Sequence, residues 1–329
     1  MPYFLLRIGL LFVLLVLAAG CSGDRDALTI YSGRSESLVG PLLERYAEQA
    51  DVQIDVRYGD SSDLALLLGE EGGRTPADVF LSQSPGAVGY VAEQGLLADL
   101  PDGLLGRVDE RFASEQGLWI GVTGRQRVLV YNEELVPESE LPDSVWELTE
   151  ARWEGRVAVA PGNASFQDFV SALRQAEGDE RTRAFLRGLT ENGARSYANN
   201  NAIVEAVSRG EVPVGLVNHY YNERFLAEDP GLPSRNHVFP DGDLGSLVLP
   251  STVSVVEGTD HPEAAEAFVE FLLSDEAQRY FAEETYEYPL VSGERARELA
   301  AAGEGYAIDR LGRELRDTAR LIAESGLRE

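Results

Sequence analysis

The chain has 329 residues, with 56 acidic side chains against 28 basic ones, all of them arginine, and a formal net charge of −28. A field of that sign repels phosphate backbones, which excludes nucleic acid as a partner. Apolar residues make up 44% of the chain, an ordinary share for a globular protein, and a single cysteine leaves no intramolecular disulfide.

The N-terminus reads as an export signal. Arg7 gives a positive start, and residues 8–19 form an apolar run too short for a bilayer, which takes about 20 helical residues. The run closes on Leu17-Ala18-Ala19-Gly20-Cys21, which resembles the lipobox of bacterial lipoproteins. In that class the new N-terminal cysteine carries the lipid, so lipidation is expected at Cys21. Residues 1–20 are then a removed signal peptide, and 21–26 a spacer between anchor and fold. Cleavage removes only Arg7 among the charged residues and leaves 27 arginines against 56 acids, or −29. High acidity without lysine points equally to a salt-rich habitat or a GC-rich genome. The remaining 309 residues suffice for two lobes with separate cores.

Strands and helices then alternate. Residues 27–32 read as a strand, 33–36 as a turn, and 41–50 as a helix with Leu42, Leu43 and Tyr46 on its apolar face. Residues 52–56 alternate as a second strand, and Ser61, Ser62 and Asp63 offer caps to a helix reaching Leu68. A third strand is predicted at 78–81, with a helix over 87–93. This spacing is that of βαβ units, hence a largely parallel sheet covered on both faces. Residues 118–122 with 127–131, and 246–256, are β-rich and far apart in sequence. Between them lies a second α/β set: a strand at 157–160, helices over 166–176, 182–189 and 202–209, and a strand from 212 that ends on Tyr220 and Tyr221. Residues 262–281 read as one amphipathic helix, with Ala264, Phe268, Phe271 and Leu272 on one face. The simplest architecture is two α/β lobes joined by two strand crossovers.

The tyrosine pair carries the most chemistry. Neighbours on a strand point to opposite faces, but where a strand breaks off the alternation lapses and two phenols can converge. Phenolate oxygen is a hard anionic donor suited to highly charged cations such as ferric iron. Two amphipathic rings packed at a lobe surface are the plain alternative. His219, beside the pair, is a second potential metal donor. The other histidines, His237 and His261, sit in no Ser/His/Asp spacing, HExxH or glycine-rich phosphate loop, so no enzyme is expected.

Over nearly all of the mature chain the sequence resembles the ferric-ion-binding proteins that serve bacterial iron ABC importers. The landmarks are Ile30-Tyr31-Ser32-Gly33, Thr75-Pro76-Ala77-Asp78-Val79-Phe80, Gly124-Arg125-Gln126-Arg127-Val128, Asn218-His219-Tyr220-Tyr221, Gly245-Ser246-Leu247-Val248 and Glu287-Tyr288-Pro289-Leu290. The resemblance implies the two-lobed periplasmic-binding-protein fold of type II, with two mixed sheets and a hinge of two β crossovers. One lobe would hold residues 27–126 and 247–295, the other 127–246 and 296–329. Cargo would be Fe3+, alone, as a chelate, or with carbonate, phosphate or citrate, held in the cleft by Tyr220 and Tyr221. The partner would be an ABC permease, and the protein a lipid-anchored monomer on the outer face of the cytoplasmic membrane.

The chain also departs from the family pattern. Ser35 and Gln83 stand where many members have a histidine and a glutamate ligand, and Ser165 where some relatives have a third tyrosine. Two phenolates leave an octahedral ion with open positions for water, an anion or a chelator. Anion-holding positions map onto Ser84, Gly162, Asn163, Ala164, Asn200 and Asn218, with Asn200 just ahead of a helix whose free N–H groups favour an anion. Arg34, Arg125 and Arg127 are candidates to hold that anion through paired N–H donors, with Arg125 and Arg127 alternatively buttressing the hinge. The loss of the histidine and glutamate leaves an alternative in which the same fold carries thiamine, a polyamine or a phosphate ester.

Overall fold

A computed structural model describes residues 27–291 and 306–327, with positions 293, 296 and 299 between them. The leader, Cys21 and residue 295, the expected end of the first lobe's second segment, lie outside the described residues. Among the described residues no helix is long and apolar enough to cross a membrane.

Strands β1 (Ala27–Ser32), β2 (Gln53–Tyr58) and β3 (Val79–Ser82) run parallel, with Ile30 opposite both Val56 and Val79. Helices α1 (Glu36–Ala50), α2 (Ser61–Glu71) and α3 (Pro85–Glu93) connect and follow them, and the short α4 (Asp102–Leu105) leads on toward β4 (Ile120–Asn132). All thirteen residues of β4 are buried. Its first half pairs antiparallel with β9 (Val248–Val255), which in turn pairs with β3. Its second half pairs antiparallel with β7 (Val214–Asn218) and β8 (Ser234–His237). The change of partner falls between Gln126 and Arg127. The return crossing comes at Leu247, whose carbonyl accepts the Arg127 N–H at 2.8 Å. The two expected β-rich runs are therefore one long strand and its antiparallel partner. β5 (Val157–Val159), parallel to β7, and β6 (Arg195–Ser196) complete the second sheet, giving the order β2-β1-β3-β9-β4-β7-β5-β6.

In the second half of β4, side chains alternate between two cores. Val128 and Val130 pack with Ala158, Ile203, Val204 and Val217, while Leu129 and Tyr131 join the larger core on the other face. A strand covered on both sides needs apolar residues at successive positions, which is why this run lacks a polar face.

Several boundaries differ from the sequence reading. α1 starts at Glu36 and runs through Pro41, whose missing N–H falls on an exposed face where water can take the freed carbonyl. The two helices expected at 166–176 and 182–189 are both present, α5 (Ala164–Glu191) being interrupted between them at Gly178, where φ is 83° and ψ 164°. The single helix expected over 262–281 is two, α8 (Pro262–Leu272) and α9 (Asp275–Glu284), because Ser274 caps a new start by accepting the Ala277 N–H. Between β6 and β7, α6 (Asn200–Ser208) covers the smaller core. The strand before the tyrosines stops at Asn218, and α7 (His219–Glu228) begins at once. The final helix, α10 (Leu311–Ser325), lies against both α3 and α5. Its Thr318 bonds Ser171 at 2.7 Å, and Arg313 pairs with Glu93 at 3.0 Å.

Candidate metal centre

Tyr220 and Tyr221 occupy the first turn of α7, not the end of a strand. Successive helical residues lie about 100° apart, so adjacent side chains can face the same space. Here the rings stack with centroids 4.2 Å apart and an interplanar angle of 28°. Tyr220 is fully buried and Tyr221 partly so. Gln83, from the turn between β3 and α3, donates its Nε2–H to the Tyr220 oxygen at 2.8 Å. The amide thus replaces a potential anionic ligand with a neutral donor that favours the phenolate over the phenol. Burial, then the neighbouring Tyr221, pushes the Tyr220 phenol well above its ordinary value of 10, while Arg34 and Arg125 pull it back. Among the described residues no group of three or more His, Cys, Asp or Glu side chains is placed to hold a metal ion.

Three buried arginines surround the pair. Arg34 makes a bidentate ion pair with Glu287 and donates to Ser251 Oγ at 2.8 Å. Burial works against both charges, but their mutual attraction outweighs it, so Arg34 is raised and the Glu287 carboxyl lowered. Arg125 donates to the carbonyls of Gln83 and Pro250. Arg127 reaches Leu216 O at 3.1 Å, Ser165 Oγ at 3.3 Å and Asn218 Oδ1 at 3.4 Å, and burial lowers it to about 9. Arg34 and Arg125 act as counter-charges to the phenols, and Arg125 and Arg127 also tie down the hinge strands.

Beside the tyrosines opens a cleft of about 400 Å3, lined by Gln83 and Arg125 on one side and Gly162, Asn163, Ala164 and Ser165 on the other. Asn163 Oδ1 accepts from the Ser165 hydroxyl at 2.6 Å and from Asn200 Nδ2 at 3.2 Å, which also reaches Ser165 Oγ at 3.3 Å. Asn163, Ser165, Asn200 and Asn218 are thus gathered around Arg127, at the starts of α5, α6 and α7. Buried Asn200 Oδ1 and Asn218 Nδ2 have no protein partner.

Two expected positions are placed elsewhere. Ser35 is the exposed residue preceding α1, its hydroxyl 3.2 Å from that of Ser37. Ser84 caps α3 by accepting the Ala87 N–H and donates to Asp168 Oδ1 at 3.0 Å, so its hydroxyl is committed away from the cleft. Asp168, on α5, is fully buried, and burial raises it to about 6 against the pull of Ser84, Arg125, Gly86 N–H and Arg127. A Cβ on Gly86 would lie 2.7 Å from Asp168 Oδ1, so only glycine admits this close approach. Neither Asp168 nor Glu287 was assigned a role from sequence, since their partners Ser84 and Arg34 are 84 and 253 positions away. His219 is not free to ligate. Its Nδ1 accepts the Gln126 N–H at 3.1 Å, which leaves Nε2 protonated to donate to Tyr286 O at 2.9 Å.

The chain is similar to known proteins over most of its length. The Fe(3+)-binding periplasmic protein of Serratia marcescens is 30% identical over 269 residues, 81% of this chain and 79% of that protein. Iron uptake protein A1 of Synechocystis is 31% identical over 322 residues, 94% of this chain and 89% of that one. Iron-bound HitA from Pseudomonas aeruginosa superposes with a TM-score of 0.86 at 32% identity, covering 92% of this chain and all of that one. A Trichodesmium protein in complex with iron and citrate gives 0.79 at 26% identity over the same share of this chain. With residues 74–312 matching the family directly, the chain belongs to the bacterial extracellular solute-binding proteins.

Proposed function

We propose that this protein captures ferric iron in the cleft between its lobes and delivers it to an ABC permease. The observation that carries this reading is the stacked Tyr220–Tyr221 pair, its Tyr220 buried against two cationic side chains with Gln83 donating to that phenol. Hard phenolate oxygens suit a trivalent ion, and its charge compensates the cost of removing buried phenolic protons. Two protein oxygens leave most of an octahedral shell open. Beside the Asn163–Ser165–Asn200 cluster, Arg127 Nε and Asn218 Nδ2, neither of which has a protein partner, offer N–H donors to an anion such as carbonate, phosphate or citrate filling that shell. The protein binds and releases without catalysis.

Residues 27–126 with 247–295 form one lobe in this reading, and 127–246 with 296–329 the other, with α10 lying across both. Cys21 anchors the exported chain, as a monomer, to the outer face of the cytoplasmic membrane. The fold also suits thiamine, a polyamine or a phosphate ester, and an amine would use the same tyrosine rings as a cation–π cage, but such a cargo gives no visible colour on adding ferric iron. The test is a titration of metal-free protein with ferric citrate, followed in the visible spectrum. A saturable phenolate-to-iron band in the wild type, absent from the Tyr220→Phe, Tyr221→Phe double variant, is expected. No band in either protein would sink direct tyrosinate binding.

A further inference from the structure

His219 immediately precedes the tyrosine pair, and ferric capture makes no direct use of it. Its ring is nonetheless fixed from three sides. The Gln126 N–H, at the point where β4 changes sheets, donates to Nδ1 at 3.1 Å. Nε2–H donates to the Tyr286 carbonyl at 2.9 Å, and the Tyr288 ring stacks on the imidazole with centroids 4.1 Å apart and planes 9° from parallel. Tyr288 closes the circuit by donating from its hydroxyl to Gln126 Oε1 at 3.3 Å. The imidazole is 4% exposed. A side chain wanted only for volume would bury carbon; this one spends both nitrogens on backbone groups of two separate segments.

The segment it grips is itself unusual. Tyr286 has φ of 59°, a left-handed conformation that an aromatic residue seldom adopts, and strain of this kind persists where surrounding contacts over-determine it. Glu287, the next residue, holds Arg34, the cation that faces both phenols. Tyr288 and Pro289 form β10, a short strand paired with Thr123 and Gly124 of β4. One three-residue segment therefore fixes the histidine that leads into the tyrosines and the arginine that balances their charge.

We propose that His219 is a positioning residue, bolting the tyrosine-bearing turn of α7 to the pivot formed by Gln126 and residues 286–288. The phenols and Arg34 then keep their mutual position while the cleft opens and closes around them. This rests on the ferric-tyrosinate reading above for its consequence in iron binding, but not for its mechanics.

The test pairs two readouts on His219→Phe, which keeps the stack and loses both hydrogen bonds, with His219→Gln and His219→Asn as partial restorations. In metal-free protein, amide exchange in 218–224 and 285–288 is expected to quicken at least tenfold in the phenylalanine variant relative to other α7 amides, with Gln or Asn recovering part of the protection. With ferric citrate, the phenylalanine variant is expected to bind iron at the same stoichiometry, with a displaced charge-transfer band and loss to a competing chelator about 10- to 100-fold faster, the range for residues that orient metal ligands. Wild-type exchange and wild-type release in all three variants would overturn the proposal, as would a uniform rise in exchange across the molecule. Should the phenylalanine variant not fold, the Gln and Asn variants decide by the same comparison. Failure of the ferric reading shows separately, as no band in the wild type, and the exchange measurement still judges His219.

Discussion

At the scale of single residues, the proposed ferric centre turns on a buried phenol whose proton a ligated cation would have to displace. Burial holds Tyr220 protonated at neutral pH in the metal-free protein, so ligation as proposed releases at least this proton for each ferric ion bound. Affinity must then rise with pH and fall in acid. A pH-stat or isothermal titration in two buffers of different ionisation enthalpy measures the release directly, and a count of zero would refute phenolate ligation. The tyrosines and Gln83 were legible in sequence because short motifs mark them. Ser35 and Ser84 occupy family positions, yet the first is solvent-facing and the second serves Asp168. No pattern in the chain announces Asp168, because its role exists only once α5 meets the start of α3.

Among elements, the pairing of Arg34 with Glu287 ties the turn after β1 to the segment before β10. Removing one member of a buried ion pair leaves the other uncompensated, at about 3–5 kcal/mol. Glu287→Gln should lose roughly that much stability at neutral pH, seen as a lower melting temperature. The pH dependence follows from the lowered carboxyl. Its contribution is fully present above the ordinary value of 4.5 and is lost as pH falls through the lower folded value, so wild type and variant should converge in strong acid. A constant gap across that range would count against the pair as its source. The strands were readable from apolar runs, since β4 and β9 are covered on both faces. The tyrosine turn was not. A strand reading of 212–221 and a strand-then-helix reading share the same apolar start, and only packing of α7 beside β8 separates them.

For the whole molecule, a net charge of −28 sets a self-repulsion that no local contact removes. Exposed carboxylates repel across distances that salt shortens, from a Debye length of about 30 Å at 0.01 M to about 3 Å at 1 M. The melting temperature should therefore climb by several degrees as sodium chloride is raised across that range. A flat or falling curve would mean that the surface ion pairs, themselves screened by salt, outweigh the repulsion. The two-lobed plan was legible from the order of α and β segments, but the placement of α10 across α3 and α5 was not, because an amphipathic helix shows that it is covered and not by what.

The pairing of β3 with β9 also dictates an order of assembly. Val79–Ser82 meets Thr252–Val255, and between them the chain must build the entire second sheet. As the polypeptide emerges, β1, β2 and β3 can associate early, but β3 keeps an open apolar edge until some 170 further residues have followed. Contacts so distant in sequence form slowly. The first sheet to be started is consequently the last to be completed, and during that interval its unpaired edge is the place where a sister chain could add a strand.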